Sequence, residues 1–250
     1  YSAVVSRFKI LAECDIAEKR VAQDGAITLT DEHGQDIDFR FSLIPTKNGE
    51  RIVMRILDKE GLKLGLAELG FLTDDQQTFE RVISLPDGIL LVTGPTGSGK
   101  TTTLYAALGQ LDSTVTNILT VEDPIEYDLE GVGQTQVNAR IDMDFARALR
   151  AILRQDPDVV MIGEIRDRET MDHAIAFAET GHLCLATLHA NNSYHAMNRI
   201  ISFYPLENRP ALLEDLSATL KCVISQRLIR NTKGGRSAAV EILLATRHIA

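Results

Sequence analysis

The chain has 250 residues, 44% of them hydrophobic, which is enough for one large domain or two smaller ones with a substantial core. Its 26 basic and 35 acidic residues give a formal net charge of −9, which argues against a general nucleic-acid-binding protein, because such proteins are usually basic. No apolar run approaches the ~18 residues of a membrane span, nothing at the start resembles a signal peptide, and the three widely spaced cysteines favour reduced thiols over a disulfide or metal framework.

The first sixty residues have the pattern of a small α/β domain, and we place this domain at 1–60. Apolar residues at positions 4, 5, 8 and 11 suit one face of a helix. Three strands are predicted after it, at residues 26–30, 37–44 and 51–57, with turn signals at 33–34 and 48–49. In the second strand apolar and polar residues alternate, so one face should be buried and the other polar.

Residues 58–65 are polar and bounded by glycine, which predicts a hinge, and we place the second domain at 61–250. There strands alternate with helices, which indicates a mostly parallel sheet covered on both faces. The predicted strands are 88–93, 117–121, 158–162, 183–188 and 238–244, the last one after a turn at 233–235. The predicted helices are 102–111, 145–154, 169–180, 193–202 and 209–228.

The strand at 88–93 leads into a glycine-rich loop with the spacing G-x-x-x-x-G-K-[ST], and a helix pattern follows the loop. In this context backbone N–H groups and the helix N-terminus can bind phosphate. Lys100 is predicted to reach the β- and γ-phosphates of ATP, and the Thr101 hydroxyl to hold Mg²⁺. The alternative is a glycine-rich turn that fits the pattern by chance. The predicted nucleotide-binding residues are Gly94, Pro95, Thr96, Gly97, Ser98, Gly99, Lys100, Thr101 and Thr102.

Three further strands end in polar motifs, and in open α/β sheets the ligand binds beyond the carboxyl ends of the strands. Glu164 is the candidate that orients or deprotonates the attacking water, unless it is a strand-end carboxylate that faces solvent. His189 is a candidate hydrogen-bond partner of the γ-phosphate, although a lone histidine is often structural. The acidic cluster that could bind Mg²⁺ with Thr101 is Glu122, Asp123 and Glu126, and its alternative is a charged turn closed by proline.

Phosphoryl transfer commonly needs an arginine in addition to the lysine of the loop. Lys100 is the one cation assigned to the sheet motifs, so the candidates are Arg40 and Arg55 of the first domain. Arg40 lies on the polar face of its predicted strand. Arg55 interrupts the apolar run 52–57, where a buried charge would need a partner. Surface ion pairs are the alternative for both arginines.

Several motifs occur in the order found in the secretion ATPases, and the chain resembles this GspE/PilB/PilT superfamily over nearly its whole length. The motifs are GPTGSGKTTTLY (94–105), VEDPIEY (121–127), ILRQDPDVVMIGEIRD (152–167), TGHLCLATLHANN (180–192), DIAEKRVAQDG (15–25) and GERIVMRIL (49–57). By this resemblance they are the Walker A, Asp box, Walker B and His box, preceded by two N-terminal-domain segments. Arg40 and Arg55 match the family arginines that approach the γ-phosphate.

The resemblance implies an α/β fold in which a PAS-like domain precedes a RecA-like P-loop NTPase domain, with six copies in a ring. It implies a cytoplasmic, ATP- and Mg²⁺-dependent motor at the inner membrane that drives assembly or disassembly of a pilin-type filament in type IV pili or type II secretion. A further N-terminal domain docks to the inner-membrane platform protein in this family. It has no counterpart here, so the chain is expected to be a piece of a longer protein.

Two departures leave the direction of the motor open. Type II secretion ATPases and many extension ATPases carry a four-cysteine zinc segment, but the corresponding interval 229–240 has no cysteine, so no zinc is expected. Residues 198–229 are similar to the retraction ATPases, whereas the first domain is similar to the extension and secretion branch.

Two other functions are alternatives to the motor. A RecA-like nucleic-acid translocase would need basic, aromatic-bearing loops, and this acidic chain has 5% aromatic residues and no tryptophan. A nucleotide-gated assembly module would barely hydrolyse ATP, and Glu164 together with the paired arginines argues against it. No nucleic-acid partner is therefore expected.

Overall fold

The computed structural model describes residues 2–34, 36–57, 65–138, 141–232 and 235–245. The chain divides into two units, Tyr1–Leu62 and Lys63–Ala250. The predicted hinge and the predicted domain boundary fall on residues 58–64, outside the described residues, as does most of the predicted turn at 233–235.

The first unit is a helix packed on a three-stranded antiparallel sheet of order β1-β2-β3. Its elements are α1 (Ser2–Leu11), β1 (Gln23–Thr30), β2 (Asp36–Thr46) and β3 (Gly49–Leu57). Phe41 and Leu43 of β2 are fully buried and pack with Val5 of α1, whereas Arg40, which directly precedes Phe41 and lies on the opposite face of the strand, is exposed. The helix, the three strands and the two faces of β2 are therefore as the sequence predicts.

The second unit contains a seven-stranded sheet in the described part of the chain, with the order β10-β9-β4-β8-β7-β5-β6. All neighbouring strands are parallel except β10, which is antiparallel to β9. The strands are β4 (Gly88–Thr93), β5 (Ile118–Glu122), β6 (Gly133–Gln136), β7 (Val159–Ile162), β8 (Leu183–Leu188), β9 (Leu220–Arg230) and β10 (Arg236–Leu244). The mostly parallel sheet is confirmed.

The central strands of this sheet are buried on both sides because helices cover both of its faces. In β4, Ile89 and Leu91 belong to the core cluster that includes Met171 and Phe177 of the helix 168–179, while Leu90 and Val92, which alternate with them, are equally buried on the other face. The helices of this unit are α2 (Thr73–Ile83), α3 (Lys100–Leu108), α4 (Phe145–Ile152), α5 (Arg168–Glu179), α6 (Ser193–Ser202) and α7 (Arg209–Thr219). None of the described helices is long and apolar enough to span a membrane.

The predicted helix 209–228 is wrong in its second half. Helix α7 ends at Thr219, and Leu220 begins strand β9, which pairs in parallel with β4. The run from Cys222 to Ile224 is buried because it lies between β4 and β10 with both faces covered. A strand of this kind is apolar on every side, so periodicity alone does not distinguish it from a buried helix.

Candidate active site

The glycine-rich loop connects β4 to α3, as the motif requires. Gly99 is the residue before α3 and has a φ of 84°, a left-handed conformation that a side chain disfavours. At Gly94 a Cβ would lie 2.3 Å from the carbonyl oxygen of Gln226 and 2.4 Å from Ser98 Oγ. The loop therefore needs these glycines to follow its tight path against the end of β9.

Lys100 is the first residue of α3, and its amine lies over the loop. Its Nζ donates hydrogen bonds to the carbonyl oxygens of Gly94 (3.1 Å) and Pro95 (3.3 Å). Burial lowers the pKa of Lys100, and the negative charge of Glu164 opposes part of this effect. Lys100 thus lies between the loop and the Glu164 carboxylate, and a phosphate group could replace its two carbonyl partners because a charged acceptor forms a stronger hydrogen bond.

The strands that carry the four predicted motifs are neighbours in the sheet. Strand β4 lies beside β8, then come β7 and β5, and all four are parallel. Their carboxyl ends therefore lie at one edge, which brings together the glycine-rich loop, His189, Glu164 and the acidic motif. The convergence predicted from the sequence is confirmed for these strands.

Glu164 lies in the short segment between β7 and α5, and its backbone path is tightly packed. A Cβ on the preceding Gly163 would lie 3.1 Å from the carbonyl oxygen of Val121, so glycine allows close approach to β5. Thr187 of β8 donates a 2.5 Å hydrogen bond to the Gly163 carbonyl. At the other end Asp167 caps α5 by accepting a hydrogen bond from the backbone of Thr170.

The carboxylate of Glu164 is held by a cation that the sequence analysis did not assign. Arg166 donates from Nε to Glu164 at 2.6 Å and from Nη1 to Asp123 at 3.2 Å. Burial by itself would lower the pKa of Arg166, but the hydrogen bonds to these two carboxylates and their negative charges raise the pKa overall. Lys100 is therefore not the only cation of the sheet motifs: Arg166 links the Walker B and Asp box carboxylates. The G-E-I-R-D run was part of the matched motif, yet only the fold shows that Arg166 turns back onto Glu164.

Removing the Arg166 side chain should impair turnover while leaving the fold intact. We expect Arg166→Ala to lower phosphate release roughly tenfold, because Glu164 and Asp123 lose the charge-assisted bonds that orient them. Arg168→Ala is the matched control, because Arg168 is a half-exposed neighbour whose 3.3 Å ion pair with Asp172 lies within α5. Equal turnover of the two variants in a phosphate-release assay would contradict a positioning role for Arg166.

His189 follows β8 directly and lies next to Glu164. Its Nε2 is 3.4 Å from Glu164 Oε1. Burial lowers the pKa of His189, the positive charge of Lys100 lowers it further and the negative charge of Glu164 opposes both effects, so the net shift favours the neutral ring. The neutral ring has one N–H and one acceptor nitrogen, which suits a hydrogen bond to a phosphate or to the attacking water.

Glu122 differs from the other predicted metal ligands because its carboxylate is buried and already bonded. It is 2% exposed and accepts hydrogen bonds from Thr120 (2.6 Å), Gln134 (3.1 Å) and the Tyr105 hydroxyl. Burial and the hydrogen bond to this carboxylate raise the pKa of Tyr105, so its hydroxyl remains a donor. This environment fits a structural link between β5 and α3 better than a metal ligand.

The remaining predicted metal ligands are accessible to different degrees. Thr101, Asp123 and Glu126 are half-buried, and Asp123 is the one bonded to Arg166. Within the described residues no group of three or more histidine, cysteine, aspartate or glutamate side chains is arranged to hold a metal ion without a ligand. The assignment of Thr101 and of the acidic cluster as magnesium ligands therefore stays a prediction.

The profile of a protein family described as "Type II/IV secretion system protein" matches residues 1–243. The chain belongs to this family. It is 55% identical to a type II secretion system protein E of Pseudomonas aeruginosa over 91% of this chain and 44% of the relative. It is 54% identical to the type II secretion system ATPase E of Vibrio cholerae over 92% of this chain and 44% of the relative. The chain thus spans about half the length of the curated relatives it matches.

Solved structures support the same assignment. The pilus retraction motor PilT with bound ADP is 35% identical, has a TM-score of 0.78, and is matched over 92% of this chain and 65% of its own. The DotB ATPase of Yersinia pseudotuberculosis is 26% identical with a TM-score of 0.74, over 98% of this chain and 68% of its own. The RecA-like secretion-ATPase fold is therefore confirmed, whereas the PAS-like description of the first unit stays a prediction.

The two arginines that match the secretion-ATPase family lie opposite each other in the first unit. Arg40 of β2 pairs directly with Arg55 of β3, and both are exposed. The apolar run around Arg55 does not bury its charge, because β3 is an edge strand and Arg55 is exposed on the same face of the sheet as Arg40. Like charges directly opposite in a sheet are destabilising, so this pair suits an anionic ligand shared between them.

Proposed function

We propose that this chain is the catalytic part of a motor ATPase that hydrolyses ATP to ADP and phosphate and transmits the energy to a secretion or pilus machine. The main support is that Lys100, Glu164 and His189 lie together at the carboxyl ends of adjacent parallel strands. Hydrolysis of a phosphoanhydride needs a phosphate cradle, a cation and a group that positions water. Membership of the secretion-ATPase family agrees with each of these roles.

In the proposed mechanism each side chain has a separate task. The loop and Lys100 bind the phosphates and balance the negative charge that develops in the transition state. Glu164 accepts a hydrogen bond from the attacking water and directs it at the γ-phosphate. One of its oxygens accepts a hydrogen bond from Arg166, so we assign the attacking water to the other oxygen, which lies next to His189.

The residues of the loop edge fit a magnesium ion bound together with ATP. Thr101 is the second residue of α3, directly after Lys100, and supplies a hydroxyl oxygen, while Asp123 and Glu126 supply half-buried carboxylates. Mg²⁺ usually keeps several waters and is completed by substrate phosphates, which explains why the protein alone needs no full ligand set. The ion would neutralise phosphate charge, and Glu122 would support the motif through its hydrogen bonds.

At the level of the assembly, we propose a homohexamer that works in the cytoplasm against an inner-membrane platform protein. The higher identity to type II secretion proteins, 55% compared with 35% for the retraction motor, favours the secretion branch.

Phosphate release with and without added DNA tests the proposal. We expect magnesium-dependent ATP hydrolysis that DNA does not change. Stimulation by DNA would point to a RecA-like translocase instead. Tight ATP binding without hydrolysis would point to a nucleotide-gated assembly module.

The arginine pair gives a prediction about how the first unit contributes. Arg55→Ala should lower hydrolysis strongly and leave ADP affinity almost unchanged, because we propose that Arg55 contacts the γ-phosphate, which ADP lacks. Each charge-assisted bond to phosphate contributes roughly 1.5–3 kcal/mol, which corresponds to a loss of about tenfold or more.

The measurement is a comparison of ATP turnover with ADP binding, and Arg51→Ala is the control. Arg51 is exposed on the same strand but pairs with Ile44 rather than with Arg40. A distance label across the junction of the two units should lose its ATP-dependent closure in Arg55→Ala only, since ATP can favour closure only through contacts that differ between the two states. Persistent closure with near wild-type hydrolysis would assign Arg55 to surface ion pairing.

A further inference from the structure

Gln226 of β9 is a buried polar side chain that touches the phosphate-binding loop from a distant part of the sequence. Its exposed fraction is 3%, and β9 runs beside β4, which leads into the loop. At Gly94 and Gly99 an added Cβ would lie 2.3 Å and 3.2 Å from atoms of Gln226. The loop is therefore shaped around this residue.

Both ends of the Gln226 amide make hydrogen bonds to the nucleotide-site elements. Nε2 donates to the backbone carbonyl of Ser98 at 2.6 Å. Oε1 accepts from the hydroxyl of Thr103, which lies in the first turn of α3, at 2.8 Å. The Ser98 carbonyl fixes which end of the amide faces it, because only the NH₂ end can donate to a carbonyl, whereas the Thr103 hydroxyl can bond to either end.

The bond to Ser98 has a geometric consequence for the loop. The peptide that joins Ser98 to Gly99 is planar and trans, so its C=O and N–H point in opposite directions. When the carbonyl is held against β9, the N–H of Gly99 is directed away from β9. Backbone N–H groups are what a glycine-rich loop offers to phosphate, so the orientation of this peptide affects ligand binding.

We propose that Gln226 is a positioning residue of the nucleotide site: it holds the Ser98–Gly99 peptide so that the Gly99 N–H is available to a phosphate of the bound nucleotide. This inference rests on the proposed function. A merely structural amide would contribute to stability alone, whereas a positioning residue contributes to the affinity of the folded protein for ADP and ATP.

The test compares near-isosteric variants of the two side chains. Gln226→Met keeps the volume but leaves the Ser98 carbonyl without its donor, and should weaken ADP binding about tenfold or more. The KM for ATP should rise similarly with little change in kcat, because the loop holds the phosphates in both the ground state and the transition state. Thr103→Val should give a smaller loss in the same direction, and Thr103→Ser should restore wild-type affinity.

Ser225→Ala is the matched control, because Ser225 is the adjacent buried residue of β9 and its hydroxyl has no hydrogen-bond partner in the described structure. ADP binding is measured calorimetrically at a temperature at which every variant is folded, as judged by its thermal unfolding without nucleotide. A lowered Tm with wild-type ADP affinity in Gln226→Met would overturn the inference. If Gln226→Met does not fold, equal ADP affinity of Thr103→Val and Thr103→Ser would overturn it. If the wild-type protein binds no ADP, the proposed function fails as well, so the two failures are distinguishable.

Discussion

Lys100→Ala is expected to reduce ATP hydrolysis to background, at least a hundredfold below wild type, because the phosphates lose their nearest cation. Nζ is held 3.1 Å from the Gly94 carbonyl, over the loop itself. The guanidinium of Arg166 at the same edge of the sheet is already bonded to Glu164 and Asp123. Nucleotide binding should weaken together with hydrolysis, since Lys100 contacts phosphate in the ground state as well.

Phosphate release and ADP binding of the purified variant measure both effects. Lys221→Ala is a suitable control, because Lys221 is a half-buried lysine of the same sheet, 3.2 Å from Asp87 at the opposite end of β4. Unchanged phosphate release in Lys100→Ala would show that the glycine-rich loop is not the active site. A loss of the same size in the control would indicate a general effect of removing a lysine from this sheet.

Glu164→Gln is expected to keep ATP affinity and to lower turnover by ~10² or more, the usual span for a positioned base. Glutamine has the same shape as glutamate and can still accept one hydrogen bond from Arg166, so the segment between β7 and α5 should keep its path. The glutamine side chain lacks the negative charge that attracts the proton of the attacking water. The effect should therefore appear in kcat rather than in the affinity for nucleotide.

The control for this variant is Glu169→Gln, in which an exposed carboxylate loses its charge. Glu169 forms a 2.8 Å ion pair with Arg150 of α4, away from the loop. Single-turnover measurements with ATP separate binding from chemistry. If Glu164→Gln loses binding and turnover together, Glu164 has a structural or metal-binding role instead.

Elements with local signals can be predicted from the amino-acid sequence alone. The glycine spacing before Lys100 predicts the loop between β4 and α3, because backbone conformation and phosphate binding depend on consecutive residues. The ends of the buried strands can be predicted in the same way, because the apolar run stops at the polar residue Glu164 or His189. The two-residue alternation of β2 likewise predicts which face of the first unit is buried.

Which of these residues contact each other, and what each contact does, depends on the three-dimensional fold. Arg166 reaches Asp123, 43 positions earlier in the chain, and Gln226 reaches Ser98, 128 positions earlier. The sequence predicts Glu122 as one member of a magnesium-binding cluster, whereas the fold shows that its carboxylate is buried and accepts a hydrogen bond from Tyr105. Hydrogen bonds over such separations depend on strand order, which periodicity does not contain. For the same reason the segment after Thr219 is a strand: its environment between β4 and β10, rather than its own pattern, selects that conformation.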